Sequence, residues 1–468
     1  MNSSVTATDQ VLLAIRNPDQ ADDDDHQSSI RTGTVWTCSA HIITAVIGSG
    51  VLSLAWDVAQ MGWIAGPAAM VLFALVTYYA TALLADCYRS PDPVTGKRNR
   101  TYMEAVNLYL GEKHGWVCGV FQYVNMYGCV VAYQITTAIS MSAIQKANCF
   151  HREGHQAPCS YGGNFCMLLF GLVQIICSQA PDLQNIGWLS FVATIMAFCY
   201  SSIGFGLGLA KVIENGRIKG SIGGVSHGTA VQKLWTVSQA IGDIAFAYPY
   251  SLILLEIQDT LKTPPAENRT MKNASMISIS ITTLFYLSCG CLGYAAFGEE
   301  TPGNLLTGFG FYEPYWLVNF ANACVIVHLV GGYQVYSQPV FAVAEKRLSQ
   351  KYPNSGFVNN IYTLRAPFLP ACKLNLLRLC FRTAYVVSTT ALAMTFPYFN
   401  EVMGVFGALN FWPLTIYFPV EMYFVQRNIA PWTRKWIGLQ IFSMACLLAT
   451  AVALAGSLEG IVRAKLSE

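Results

Sequence analysis

Two apolar segments contain residues that should interrupt a membrane-spanning helix. Gly48-Ser49-Gly50 lies in the middle of AHIITAVIGSGVLSLAWDVAQMGW, residues 40–63, and Pro249 lies within QAIGDIAFAYPYSLILLEIQDT, residues 239–260. Glycine weakens a helix interior and permits unusual backbone angles, and proline removes a backbone donor. Within a bilayer such a break is tolerated only where it is buried in protein or lines a cavity. The two breaks therefore predict a polar site inside the membrane.

The broken helix ends supply complementary chemistry. Unpaired N–H groups at the first break can bind an anion such as a carboxylate, and unpaired carbonyls at the second can bind an ammonium group. One such site fits an α-amino acid. The candidate substrate-binding residues are Gly48, Ser49, Gly50, Val51, Phe246, Ala247 and Tyr248. The alternative is that the small residues and the proline serve only close helix packing or kinking.

Several other polar side chains also fall at membrane depth, where charges are costly and usually functional. The candidates for carrying a proton are Asp243, His328 and His41, since histidine titrates near physiological pH. For each histidine the alternative is a structural hydrogen bond to a carbonyl. The candidates for setting substrate specificity are Asp57, Tyr123, Asn125 and Asn322.

A helical membrane protein must position these residues. The chain of 468 residues is 53% hydrophobic and 12% charged, about half the charged fraction of a soluble protein. Its apolar residues fall in runs of about 20, the length that spans the hydrocarbon core. We expect an all-α integral membrane protein with eleven spans, near 34–60, 64–88, 116–146, 164–180, 188–210, 234–256, 274–297, 315–345, 379–396, 401–426 and 436–461.

The positions of the breaks indicate an internal repeat. They fall in spans 1 and 6, which correspond in two halves of five spans each, and spans 3 and 8 are both unusually long. Interrupted spans at corresponding positions point to an inverted-repeat transporter. The eleventh span would lie outside the repeat.

Basic residues in the loops set the expected orientation. Most of them fall on the inner side if the N-terminus is cytoplasmic, although the loop between spans 5 and 6 disagrees. We therefore expect residues 1–33 to be a cytoplasmic, disordered acidic tail without a signal peptide, residues 34–461 to form the transporter domain, and residues 462–468 to be an extracellular tail.

Two cysteines and three sequons test this orientation. Cys149 and Cys159 share the loop 147–163, which would be extracellular, where a disulfide could persist. The glycosylation sequons at Asn99, Asn268 and Asn273 fall in loops placed inside, so they should be unused.

Composition and motifs also exclude several functions. A net charge of +2 gives no reason to expect a nucleic-acid partner. The sequence has no HExxH motif, no P-loop and no GxSxG on a strand–turn–helix, so an enzyme is not expected. Cys289-Gly-Cys291 is a poor metal pair without further ligands. We expect no metal and no cofactor, and oligomeric state cannot be read from the sequence.

Long motifs resemble plant amino acid permeases, in the amino acid/auxin permease family of the amino acid–polyamine–organocation superfamily. The resemblance is carried by GDIAFAYPYSLILLEIQDTLKTPPAEN (242–268), CGCLGYAAFG (289–298), GFYEPYWLVNFANACVIVHLVGGYQVYSQP (310–339), FWPLTIYFPVEMY (411–423), RTGTVWTCSAHIITAVIGSGVLSLAW (31–56) and ADCYRSPDPVTGKRN (85–99). It runs from about residue 31 to the end of the chain.

The resemblance implies a LeuT-type 5+5 core with an eleventh helix. It also implies proton-coupled import of free amino acids across the plasma membrane. Carried over, Gly48–Gly50 would meet the substrate carboxylate, and Phe246–Tyr248 would meet the amino group and side chain.

One position departs from the family, whose members usually have a small residue where this chain has Asp57. Asp57 would favour cationic substrates, repel acidic ones or impair transport, or it would be an exposed carboxylate at the extracellular mouth. Two other functions stay open: a transport-inactive amino acid sensor and a carrier of an auxin-type acid.

Overall fold

The computed structural model describes residues 31–154, 157–159, 162–179, 187–226, 229–309, 315–364 and 372–467. Most of the predicted acidic tail, residues 1–30, lies outside this range. Residues 31–33, also assigned to that tail, are ordered, and Gly33 forms a β-bridge with Leu261. The last helix runs through Ser467, so the predicted C-terminal tail is largely helical.

The described chain is mainly helical. In its first half the helices are α1 (Val35–Val46), α2 (Leu54–Asp86), α3 (Tyr102–Leu110), α4 (Glu112–Glu153), α5 (Gly163–Ser178) and α6 (Gly187–Asn215). In its second half they are α7 (Ala230–Ala247), α8 (Ser251–Gln258), α9 (Glu267–Phe297), α10 (Tyr315–Lys351), α11 (Gly356–Asn359), α12 (Leu376–Thr395), α13 (Phe399–Asn410), α14 (Phe418–Gln426) and α15 (Arg434–Ser467).

Shorter elements complete the chain. A 3₁₀ segment, Ser49–Leu52, separates α1 from α2, and a π-helix, Phe411–Tyr417, separates α13 from α14. Two further 3₁₀ turns are Gly298–Glu300 and Leu305–Phe309. Two small antiparallel hairpins lie in the loops, pairing β1 (Arg89–Ser90) with β2 (Lys97–Arg98) and β3 (Ile361–Leu364) with β4 (Cys372–Asn375).

Every predicted span coincides with a helix, but not all of these helices meet the length and hydropathy expected of a crossing. Eight do so among the described residues, and α1 and α5 are apolar but shorter. Helix α12 has 20 residues and is not among the eight. The multi-pass helical architecture is therefore observed, and the count of eleven crossings stays a prediction.

Predicted spans 1 and 2 differ most from the observed boundaries. The last part of span 1 and span 2 up to Asp86 form α2, which bends at Gly62 (φ 85°, ψ 178°). A Cβ at this position would clash with the backbone of Ile222 and lie 2.5 Å from the nitrogen of Gly224. Glycine fits here because it tolerates positive φ and leaves room for the neighbouring loop.

Packing brings the two broken helices together at the centre. The 3₁₀ segment contacts α7, α4 and α9, and α7 also packs against α2, α13 and α15. Before α1, the guanidinium of Arg31 forms an ion pair with the carboxylate of Asp259 at 3.1 Å, and this contact connects the chain before α1 to the chain after α8. These contacts hold the broken segments against each other.

Candidate substrate-binding site

The first break is a short 3₁₀ segment between two α-helices. Helix α1 ends at Val46, Gly48 has a backbone conformation that is neither helical nor extended (φ −120°, ψ −145°), and α2 begins at Leu54. The amide of Gly48 donates to the carbonyl of Val46 at 2.9 Å, so this N–H is already used. Ser49, Gly50 and Val51 begin the 3₁₀ segment, where backbone amides have no acceptor within their own helix. The amides available to an anion are therefore one residue further along than predicted.

The second break lies between α7 and α8. Helix α7 ends at Ala247, and α8 begins at Ser251. Pro249 lies between them and cannot donate a hydrogen bond, and Tyr250 adopts φ −132° and ψ 11°, outside the helical region. The break therefore leaves the last carbonyls of α7 without their usual helical partners.

Two tyrosines bind the carbonyls exposed by these breaks. The hydroxyl oxygen of Tyr286, in α9, lies 2.6 Å from the carbonyl of Val46 and 3.0 Å from that of Ala247, and its single hydrogen is shared between these two acceptors. The hydroxyl of Tyr200, in α6, donates to the carbonyl of Gly48 at 2.8 Å. The side chain of Tyr286 thus connects the C-terminal end of α1 to the C-terminal end of α7.

A small cavity lies where the breaks meet. Gly48, Ser49 and Gly50 line it from one side and Phe246, Ala247 and Pro249 from the other. A Cβ on Gly50 would lie 3.1 Å from the Cβ of Ala247, tighter than most such contacts, so the two segments are closely packed. A water-sized sphere can reach a volume of about 30 Å³, enough for one or two waters and too little for an amino acid.

A much larger vestibule opens on one side of this cavity. Its volume is about 750 Å³, and its lining includes His41 of α1 and Glu256 of α8 together with the exposed side chains Lys346 and Arg347 near the end of α10. Tyr133 and Tyr336 line both spaces, and their rings pack edge to face with centroids 5.8 Å apart. These two tyrosines therefore separate the cavity from the vestibule.

The broken helices run in opposite directions through the site. The vestibule is lined by α1, which precedes the first break, and by α8, which follows the second. Asp57, which follows the first break, meets Asp243, which precedes the second, outside both spaces. A vestibule at one end and closed packing at the other is an arrangement that admits a small molecule from one side only.

The family model described as "Transmembrane amino acid transporter protein" matches residues 31–463 of this chain. The chain belongs to this family. It is therefore a multi-pass transporter and not an enzyme, and the long motifs that resemble amino acid permeases identified the family correctly.

Relatives in Arabidopsis thaliana share most of the length of this transporter. "Probable amino acid permease 7" is 58% identical over 440 residues, covering 93% of this chain and 94% of the relative. "Amino acid permease 3" is 53% identical over 458 residues, covering 97% and 96%. A solved manganese transporter from Eremococcus coleocola is similar at a TM-score of 0.47 and 13% identity, covering 92% of this chain and 95% of that chain, a likeness too weak to assign the fold.

The predicted binding residues of this transporter fall into two groups. Gly48, Ser49, Gly50, Phe246, Ala247 and Asn125 line the central cavity. Val51 and Tyr248 are buried beside the breaks but do not line it. Tyr123 lines the vestibule. Asn322 lines neither space, and its amide donates to the carbonyl of Val318 within the same helix at 3.0 Å.

The predicted proton carriers do not lie together in one space. His41 and His328 both line the vestibule, and Nδ1 of His328 lies 2.8 Å from the carbonyl of Ala193, as in the structural alternative for a histidine. Asp243 is fully buried and lines neither space. Asp57 is also fully buried, so the interpretation of Asp57 as an exposed carboxylate at the mouth is wrong.

Sequence reasoning missed the tyrosines and the π-helix. Tyr133, Tyr286 and Tyr336 come from three different helices, and nothing in their local sequence indicates that they meet at the breaks. The π-helix, Phe411–Tyr417, places Phe411, Leu414 and Thr415 on the cavity, and π-helical turns often occur at functional sites. Pro413 within an apolar span was a signal that could have drawn attention to it.

The two predicted disulfide partners lie far from this site. The structure joins Cys149, near the end of α4, to Cys159 in a disulfide with the Cα atoms 5.9 Å apart. Both side chains are buried against their surroundings.

Proposed function

We propose that this protein imports free amino acids across the plasma membrane by proton-coupled symport and alternating access. The observation that carries the proposal is the small cavity at two broken helices, joined to a wide vestibule on one side and closed on the other. We propose further that the fold is a LeuT-type repeat of five plus five spans with one additional helix. The opposite directions of the two broken helices support this relation between the halves.

The two breaks would bind opposite ends of an amino acid. The amides that begin the 3₁₀ segment, at Ser49 and Gly50, would donate to the α-carboxylate. The α-ammonium needs acceptors, and Asn410 offers one, because its Oδ1 is buried on the cavity without a hydrogen-bond partner. The carbonyl of Ala247 already accepts from Tyr286, but a carbonyl oxygen has a second lone pair for an ammonium proton.

The walls of the cavity favour neutral side chains. Phe246, Leu252, Phe411 and Leu414 supply apolar surface, and Asn125 supplies a polar group. Burying a charged side chain against such walls is costly unless a partner is present. We propose a broad range of neutral amino acids, with cationic ones as the further case to test.

The closed cavity must expand to admit a substrate. Since Tyr133 and Tyr336 lie between the cavity and the vestibule, a change in their side-chain rotamers would join the two spaces. The vestibule lies at the end of the molecule that carries Lys346 and Arg347, and the distribution of basic residues predicts that this end is cytoplasmic. The conformation described here is therefore interpreted as facing the cytoplasm, with the N-terminus inside and the C-terminus outside.

Current under voltage clamp tests the proposal. The chain is expressed in oocytes and exposed to a panel of amino acids and to indole-3-acetic acid at pH 5.5 and 7.5. We expect an inward current with neutral amino acids that is larger at pH 5.5. Silence with confirmed surface expression, despite binding of amino acids to the purified protein, would favour the inactive sensor. A current with indole-3-acetic acid alone would favour the auxin-type carrier.

A further inference from the structure

Two carboxyl groups face each other on the side of the cavity away from the vestibule. Asp57 lies in α2, seven residues after the last glycine of the first break, and Asp243 lies in α7, before the second break. Both residues have 0% exposure to solvent. Their side chains are within hydrogen-bonding reach of one another.

Among the described residues, neither carboxyl has a cation or strong donor to balance a negative charge. No ion pair to Asp57 or Asp243 occurs in the part of the chain that the structure describes. Neither oxygen of Asp243 is in good hydrogen-bond geometry with a donor, and Asn400 lies only at the margin of such a contact. The further charged group facing Asp243 is Glu401 of α13, which is also acidic.

The packing around the pair leaves space for a carboxyl group and little else. A Cβ on Gly404 of α13 would lie 2.9 Å from Oδ1 of Asp243 and would also clash with Ser457 of α15. A glycine at this position therefore admits the carboxyl between α7 and α13. Two ionised carboxylates in contact at such a site repel strongly, so at least one must hold a proton, which can then be shared as an O–H···O hydrogen bond.

A serine links this pair to the first break. The hydroxyl of Ser53 donates to the carbonyl of Gly50 at 3.0 Å and lies 3.5 Å from Oδ2 of Asp57. One hydroxyl hydrogen can serve only one of these acceptors fully. The charge on Asp57 therefore influences the backbone that would meet a substrate carboxylate.

We propose that Asp57 and Asp243 form one proton-binding site, and that a proton taken up there favours amino-acid binding at the adjacent break. With one proton the pair carries a single negative charge, which repels the carboxylate of the substrate. With a second proton the pair is neutral and that repulsion is removed. By linkage, a bound amino acid raises the affinity of the pair for its proton to the same degree. This inference rests on the proposed symport and names the residues that couple it.

Substitution of either aspartate tests the pair. We expect Asp57→Asn and Asp243→Asn each to move the pH of half-maximal current to alkaline pH by about one unit or more, because the O–H···O hydrogen bond that stabilises the singly charged pair is lost and the remaining carboxylate takes up a proton more readily. The double variant should transport with an amino-acid affinity that no longer depends on pH, or not at all. Glu421→Gln, whose carboxylate accepts from Gln440 at 2.8 Å elsewhere in the bundle, is the matched control and should follow the unmodified protein.

Thermal unfolding of the purified protein is a second measurement that does not require transport. Because the pair binds its extra proton in the folded protein only, the unmodified protein and Glu421→Gln should lose thermal stability as pH rises from 5 to 8. Variants lacking Asp57 or Asp243 should lose less thermal stability over the same pH range. Asp57→Ala replaces Asp57→Asn if the latter does not reach the cell surface, and it removes the same charge.

The outcomes separate this inference from the proposed function. A silent unmodified protein would refute symport, and the unfolding series would still test the pair. If the unmodified protein gives a proton-dependent current and both single variants keep the same pH of half-maximal current, the shared proton site is refuted while symport stands. A shift in only one of the two single variants would also refute it, since a shared proton requires both carboxyl groups.

Discussion

Replacement of Tyr286 by phenylalanine probes the contact between the two broken helices. Tyr286 is fully buried, and its single hydroxyl hydrogen is shared between the carbonyls of Val46 and Ala247. Phenylalanine keeps the ring, which packs against Tyr248 at a centroid distance of 5.1 Å, and removes only the donor. The carbonyl of Val46 keeps the amide of Gly48 as a donor at 2.9 Å, whereas the carbonyl of Ala247 loses the donor described for it. Leaving buried acceptors unsatisfied costs about 1–3 kcal/mol, which corresponds to about a 5- to 150-fold loss of apparent affinity if the cost falls on the substrate-binding conformation.

The assay compares Tyr286→Phe with Tyr294→Phe. Tyr294 lies in the same helix, is equally buried, and exchanges hydrogen bonds with the backbone of Ser221 away from the site. Concentration–response curves for substrate-evoked current should shift by about 5- to 150-fold for Tyr286→Phe and remain unchanged for Tyr294→Phe, while both lower the melting temperature of the purified protein by a few degrees. An unchanged half-saturating concentration for Tyr286→Phe, or an equal shift for the control, would refute the role assigned to this hydroxyl.

Three other predictions address the break, the disulfide and the orientation. Gly50→Val should abolish uptake at normal surface expression, because even a Cβ added there would lie 3.1 Å from Ala247. Gly206→Val is the control and should transport normally, because a Cβ added at Gly206 would meet no atom of a neighbouring element within 4 Å. Replacing Cys149 and Cys159 by serine should lower the free energy of unfolding by about 3 kcal/mol with transport retained. In the unmodified protein on intact cells, these two cysteines should react with a membrane-impermeant maleimide after mild reduction. Asn268, whose amide donates to Asp86 at 2.9 Å, should stay unglycosylated, so glycosidase treatment should leave electrophoretic mobility unchanged.

The cavity between the breaks has room for only one or two waters, so substrate binding and helix movement must be coupled. Tyr133 of α4 is positioned to report this movement. Its hydroxyl would lie 3.2 Å from a Cβ added to Gly48, and its ring would lie 3.0 Å from a Cβ added to Gly332 of α10. A substrate that separates Gly48 from Tyr133 would therefore also change how α4 packs against α10.

The sequence by itself determined the helical membrane architecture, the positions of both breaks and the family. Runs of apolar residues report burial in lipid, and Gly48-Ser49-Gly50 and Pro249 alter the backbone wherever they stand. These are local properties of the chain. The sequence also brought attention to Asp57, as a charge at a position where such a residue is costly.

Only the tertiary structure decided which distant residues meet. The contact of Asp57 with Asp243, the hydroxyl of Tyr286 between two helix ends, and the separation of His41 from the closed side all depend on helices that pack across the whole chain. No periodicity in one helix specifies the rotation of another against it, because that rotation is set by the fit of side chains at every interface they share. The sequence left Asp57 between a charge that affects substrate choice or transport and an exposed carboxylate at the mouth, and the folded protein buries it beside Asp243.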